Sequence, residues 1–266
     1  MRPTSTTGIH YIVNDRLAVE VHETRESLGL AAARAAAAYI RDTIAAQGKA
    51  RVIFACAPSQ DDFLAALADR RATGVTVDWS KVTAFHMDEY VGLSADDPRS
   101  FRHYLRSHLL SRIGIGTFYP IDADESDVSS VCARYEELLS AEPIDLICLG
   151  IGENGHIAFN DPAVAEFEDK RLVKQVVLDS LCRQQQVNDG CFASLDQVPS
   201  SAISLTIPVF RRARRLSVHV PGSRKAEAIR AALEGDIGSE CPASILRVHP
   251  HATLYIDGDA AARLST

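Results

Sequence analysis

The sequence predicts an α/β fold built on a largely parallel sheet with helices on both faces. Short apolar runs rich in β-branched residues alternate with longer helix-like stretches, the order that yields parallel strands joined by crossover helices. Polar and glycine-containing loops follow several of those runs. They fall at the carboxyl edge of the strands, where open α/β sheets bind ligands.

Ile9 to Val13 and Leu17 to Val21 read as two strands around a turn at Asn14-Asp15. The alanine-rich stretch from about Arg25 to Gln47 reads as one long helix stopped by Gly48. Arg51 to Cys56 is a strand, and Asp61 to Arg70 a helix capped by Ser59 or Gln60. Val82 to His86 is a strand, followed by helices at Pro98 to Leu110 and Ser126 to Leu139. Asp145 to Leu149, within an apolar run that begins at Ile144, is a buried strand. Ala202 to Ile207 and Arg215 to Val220 are strands, Arg224 to Leu233 is a helix closed by Gly235, and Ala252 to Ile256 is a last strand. Residues 163–199 are polar and broken in pattern, as expected of a lid or an inserted hairpin. With no repeat and no low-complexity linker, the chain reads as one three-layer, Rossmann-like domain over residues 1–266.

At 266 residues and 46% hydrophobic, the chain can bury a sizeable core. A net charge of −7 argues against nucleic acid as a partner. The basic run Arg211, Arg212, Arg214, Arg215 reads as a solvated edge or a subunit contact. No apolar stretch approaches a membrane span, and Met1 to Thr7 carry no secretion signal. The six cysteines contain no Cys-x-x-Cys pair, and Cys56 and Cys148 lie in apolar runs. That usage suits a reducing, cytoplasmic setting. His249-Pro250-His251 lacks the third and fourth donors of a zinc site, so no metal is expected.

The most informative stretch is Gly150-Ile151-Gly152-Glu153-Asn154-Gly155-His156-Ile157-Ala158-Phe159-Asn160-Asp161-Pro162. Glycines such as Gly152 and Gly155 let the backbone turn tightly and approach a ligand. A histidine moves protons near neutral pH. Asp161 could orient His156 if the loop curls back. The plain alternative is a strand-to-helix turn with a buried, satisfied histidine. Ser59 and Gln60, Asp88 and Glu89, and Ser223 and Lys225 follow other predicted strands on the same rim. Asp88 could instead cap a turn, Glu89 could pair with a surface arginine, and Tyr90 reads as packing. Lys225 opens a helix, where a cation opposes the dipole unless an anion binds there.

The glycine-histidine loop resembles the signature of the glucosamine-6-phosphate deaminase family, which shares a fold with 6-phosphogluconolactonase. Phe85-His86-Met87-Asp88-Glu89-Tyr90-Val91-Gly92-Leu93 and Pro221-Gly222-Ser223-Arg224-Lys225-Ala226 match in order and spacing, so the resemblance runs from about residue 50 to residue 256. It implies conversion of an amino-sugar phosphate to a ketose phosphate and ammonia, without metal or organic cofactor. It implies His156 for ring opening, Asp88 for proton transfer between C2 and C1, and Asn154 and Asp161 to hold the histidine. Ser59, Gln60, Glu89, Gly152, Gly155, Arg183 and Lys225 are then the expected substrate contacts. Oligomers are frequent in the family, so a homo-oligomer is left open.

The chain also departs from the family pattern. Asn154 stands where many members have aspartate, and Asp161 where many have glutamate. The glycine-rich phosphate loop is replaced by Ala57-Pro58-Ser59-Gln60-Asp61-Asp62, in which proline removes a donor and two carboxylates would repel phosphate. Glutamine, within Gln184-Gln185-Gln186, takes the place of a lid arginine. The sequence leaves three other readings open: a 6-phosphogluconolactonase-like hydrolase, a non-deaminating aldose–ketose isomerase, and a sugar-sensing binding module. The last normally carries a DNA-binding helix-turn-helix, for which this N-terminus has no room.

Overall fold

The computed structural model describes residues 9–13, 16–124 and 126–265, the first of these segments by its backbone alone. The expected turn at Asn14-Asp15 lies outside the described residues. In chain order the elements are β1 (Ile9–Val13), β2 (Leu17–His22), α1 (Arg25–Gln47), β3 (Ala50–Phe54), α2 (Asp61–Ala68), α3 (Arg70–Thr73), β4 (Val82–His86) and β5 (Asp88–Tyr90). Then come α4 (Phe101–His108), β6 (Thr117–Tyr119), α5 (Val128–Ser140), β7 (Leu146–Leu149), β8 (Val173–Val177), α6 (Ser180–Asn188) and β9 (Ser201–Leu205). The chain continues through α7 (Ile207–Arg212), β10 (Arg215–Val220), α8 (Ala226–Glu234), β11 (Ala252–Asp257) and α9 (Gly258–Ala261).

The main sheet has the order β1-β2-β11-β10-β7-β3-β4-β6. Every pairing is parallel except the β1–β2 hairpin. Its central strands β3 and β7 are buried on both faces because helices cover both. In β3, Ile53 joins a core with α5 and α8, while Val52 and Phe54 join a second core with α1 and α2. The period-2 alternation of one strand thus feeds two helical layers.

The long α1 has the bounds its caps dictate. Thr24 and Ser27 form a reciprocal capping box, and Gly48 ends the helix at φ 82°. Its small residues bring α2 close: a Cβ on Gly29 would meet Asp62 and Phe63 atoms at 2.9 Å. α2 stops at Ala68 because Asp69 is extended and caps α3 through Arg71 N–H. The expected strand Ala202 to Ile207 ends at Leu205, and Ile207 begins α7 with Pro208 in its first turn.

β5 leaves the main sheet one residue after β4 and pairs antiparallel with β9, which pairs with β8. β8 and α6 account for the polar stretch at 163–199. The basic run is divided among separate partners: Arg214 pairs with Asp145 (3.1 Å), Arg211 with Glu168, and Arg215 stacks over Tyr39 (4.7 Å). No helix of the described residues is long and apolar enough to cross a membrane.

β3 leads to β4 on one side of the sheet, and β7 leads onward to β10 on the other. The loops leaving β3 and β7 therefore diverge, which opens a crevice at the carboxyl ends of these neighbours.

Candidate active site

A cavity occupies that crevice. Ser59 and Gln60 after β3, Asp88 after β4, Gly152 and His156 after β7, and Lys225 after β10 all line it. The loops predicted to share one rim do meet.

The loop after β7 curls tightly. Gly152 N–H donates to His156 O (2.9 Å), and Gly155 N–H donates to Gly152 O (3.1 Å) with Gly155 at φ 83°. The curl lays the imidazole on the Gly152 backbone. A Cβ at 152 would stand 2.2 Å from Cε1 and 2.3 Å from Nε2. Gly155 does not line the cavity; its work is the turn, and a Cβ there would meet Cys241 Sγ at 2.7 Å. Ala158 holds φ 48° in the cavity wall, the sole non-glycine positive φ among the described residues.

Nδ1 of His156 faces Asn154 Oδ1 (2.7 Å) and Asp161 Oδ1 (3.0 Å). Both are acceptors, so Nδ1 carries the hydrogen and Nε2 is left for the cavity. The Asn154 amide is oriented by the same network: Nδ2 donates to Asp161 (2.9 Å) and Oδ1 accepts His156 N–H (3.1 Å). Asp161 therefore supplies directly the carboxylate that Asn154 lacks. Burial pushes the Asp161 carboxyl up, but the bond and charge of His156 and the Asn154 amide outweigh it and hold the carboxyl below its ordinary value.

Cys182 of α6 completes the cluster, with its donor atom and those of His156 and Asp161 within 4.8 Å of one another. Burial, then the Asp161 charge, push the Cys182 thiol far up. Asp161 Oδ2 is buried with no hydrogen-bond partner among the described residues.

Asp88 and Glu89 are neighbours in β5 with opposite placements. Asp88 lines the cavity, and no hydrogen bond among the described residues engages its carboxylate. Burial, then the Glu89 charge, raise its carboxyl well above the ordinary range. Glu89, expected to contact substrate, is fully buried away from the cavity. It accepts from Ser100 Oγ (2.8 Å), Phe101 N–H (3.0 Å) and Arg102 N–H (2.9 Å) at the start of α4, with Arg102 Nε 3.3 Å away. Strand alternation separates the pair.

Gln60 is committed to the fold. Its Oε1 faces His219 Nδ1 (2.9 Å) and its Nε2 donates to His219 O (3.2 Å). The expected clash of Asp61 and Asp62 with a ligand is not what the fold presents. Neither lines the cavity: Asp61 accepts the Tyr104 hydroxyl and Asp62 pairs with Arg25. Arg183, expected at the substrate, also stays outside. Its guanidinium donates to Leu195 O (2.6 Å) and Val198 O (2.9 Å).

Sequence reasoning missed Met87 and Phe101 as lining residues, and gave Gln185 and Gln186 no role beyond replacing an arginine. Gln185 Oε1 accepts Glu153 N–H (2.8 Å), and Gln186 Oε1 accepts the Tyr90 hydroxyl (2.7 Å). The signal was a polar pair placed mid-helix in an otherwise broken segment.

The chain matches the model for glucosamine-6-phosphate isomerases/6-phosphogluconolactonase over residues 23–255. A glucosamine-6-phosphate deaminase of Listeria monocytogenes serotype 4a is 38% identical over 188 residues, 71% of this chain and 78% of the relative. One from Lactobacillus delbrueckii subsp. bulgaricus is 36% identical over the same shares. Among solved structures, a monomeric glucosamine-6-phosphate deaminase superposes with a TM-score of 0.83 at 30% identity, covering 93% of this chain and 99% of that one. A 6-phosphogluconolactonase from Shewanella baltica reaches 0.76 at 20% identity, covering 92% and 100%, a likeness of fold. The chain belongs to the glucosamine-6-phosphate isomerase/6-phosphogluconolactonase family.

Proposed function

We propose that this chain is an amino-sugar deaminase–isomerase acting on glucosamine 6-phosphate or a close analogue, releasing ammonia and a ketose product. The observation that carries the reading is the His156 imidazole, pinned at Nδ1 by Asp161 and Asn154, sharing one cavity with the unengaged Asp88 carboxylate. His156 Nε2 takes the proton of the anomeric hydroxyl and delivers one to the ring oxygen, opening the ring. Asp88 takes the proton from C2 and returns it to C1. Water then hydrolyses the resulting ketimine, so that one water enters and one ammonia leaves. A carboxyl raised by burial is a better base for a carbon acid than an ordinary one. The names of the relatives support the substrate class. All six cysteines are free, which fits a cytoplasmic enzyme.

Ammonia release from glucosamine 6-phosphate and from glucosamine, by the wild-type chain and by Asp88→Asn, tests the reading. The variant should lose about 10²–10⁴-fold in rate. No ammonia from either amino sugar, with a ketose formed instead from the 2-hydroxy sugar glucose 6-phosphate, would make the enzyme a non-deaminating isomerase.

A further inference from the structure

The cavity wall formed by α6 carries two neutral amides whose oxygens are already bonded within the protein. Gln185 Oε1 accepts Glu153 N–H (2.8 Å), and Gln186 Oε1 accepts the Tyr90 hydroxyl (2.7 Å). Both side chains line the cavity that holds Asp88 and His156, and both are buried. Gln185 Nε2 reaches Asp189 at 3.4 Å. Gln186 Nε2 makes no hydrogen bond among the described residues, and it is not sealed off as the unpartnered Asp161 Oδ2 is.

Tyr90 decides which way the Gln186 amide faces. Its ring is fully buried, packed against Phe101, Phe159 and Phe192. Burial raises the phenol well above its ordinary pKa, so it keeps its hydrogen. Gln186 is the one hydrogen-bond partner of that hydroxyl among the described residues. A buried O–H left without an acceptor costs free energy. A turned amide would present Nε2 to the phenol and leave the O–H unmatched. Oε1 therefore faces the phenol and Nε2 faces the cavity.

Position along α6 shows what Nε2 can meet. Cys182, Gln186 and Asp189 are spaced four and three residues apart and share one face of the helix. At one end of that face Cys182 meets His156 and Asp161, and at the other Asp189 acts on the Lys225 ammonium. Gln186 lies between the proton-transfer groups and Lys225. It stands level with the body of a sugar whose reactive carbons sit at His156 and Asp88.

A sugar phosphate presents acceptor oxygens along its whole length, on hydroxyls and on phosphate. We infer that Gln186 Nε2 is a substrate contact, donating to one of those oxygens, and that Tyr90 is the positioning residue that holds the amide in the donating orientation. A donor that waits in a buried wall gains its partner only when an oxygen arrives, so the pair adds affinity for the ligand rather than stability to the empty fold. The inference rests on the deaminase reading above and adds two residues to its substrate recognition.

A double-mutant cycle on the intact protein tests it, read by calorimetry with the non-reacting 2-amino-2-deoxyglucitol 6-phosphate. Gln186→Met removes the donor without adding charge and should weaken binding about fivefold. Tyr90→Phe keeps the packing but frees the amide to turn. It should weaken binding in the wild-type background only, so that the double variant binds no worse than Gln186→Met. Inorganic phosphate, titrated beside the alditol, locates the oxygen. Loss for both ligands puts it on the phosphate, loss for the alditol phosphate alone puts it on the sugar, and either supports the inference. Because the readout is binding, it stands even if no ammonia is released, in which case the deaminase reading alone fails. Unchanged affinity in Gln186→Met, additive losses in the cycle, or no binding by the wild type overturns it.

Discussion

A Cβ at residue 152 would stand 2.2 Å from Cε1 of His156, so the imidazole keeps its place because Gly152 has no side chain. Gly152→Ala should push the ring away from Asp161 Oδ1, now 3.0 Å from Nδ1. A displacement near an ångström costs a catalytic group about 10²-fold. We expect that loss in kcat/KM, with thermal unfolding little changed. A fully active Gly152→Ala enzyme would show that the ring position is not critical.

Asp161→Asn keeps the shape and removes the charge beside Nδ1. The rate should fall by about 10²–10⁴-fold, as when a histidine loses the carboxylate that sets its tautomer. Stability offers a second readout. The folded-state pKa of Asp161 lies below its unfolded value. Its contribution is therefore present above the unfolded pKa and lost as pH falls through the folded one. Asp161→Asn should be less stable than wild type at pH 7, with the gap closing in acid. Denaturant titrations at the two pH values check this, and a constant gap contradicts it.

The Asp88 carboxyl is raised by burial first and by the Glu89 charge second. If ionised Asp88 is the base, activity rises as pH passes its pKa. Glu89→Gln removes the second cause, so the acid limb of the kcat/KM profile should move to lower pH. An amide oxygen at 89 can still accept an N–H of α4. A limb that stays put or moves up means that another group controls it.

His86 and His219 are buried and neutral, each pushed down to about 3, His86 by burial and then the Arg102 charge, and His219 by burial. In the unfolded chain a histidine titrates near ~6.5. Between these values the unfolded state holds a proton that the folded state refuses, so stability falls as pH drops through that window. Each histidine contributes a slope of about 1.4 kcal/mol per pH unit. His219→Gln should lower overall stability yet flatten the acid slope. An unchanged slope would mean that His219 is protonated in the folded protein.

The parallel strands β3, β4, β7, β10 and β11 were legible because burial on both faces makes them read as apolar runs between helices. α1 was legible to the residue, because Gln47 is followed by a glycine that takes φ 82°. The short β5, β6 and β8 were not. The Asp88–Ser204 pairing that defines β5 joins residues far apart in sequence.

Chain order alone brought Ser59, Asp88, His156 and Lys225 to one rim, since residues that follow parallel neighbours emerge on the same edge. Tertiary structure decided which polar groups remain available there. Glu89 went to α4, Gln60 to His219, Arg183 to two carbonyls, and Asp61 and Asp62 to Tyr104 and Arg25. A side chain's type states what it can bond. Which partner it finds depends on strand alternation and on buried donors and acceptors that only the folded chain brings within reach.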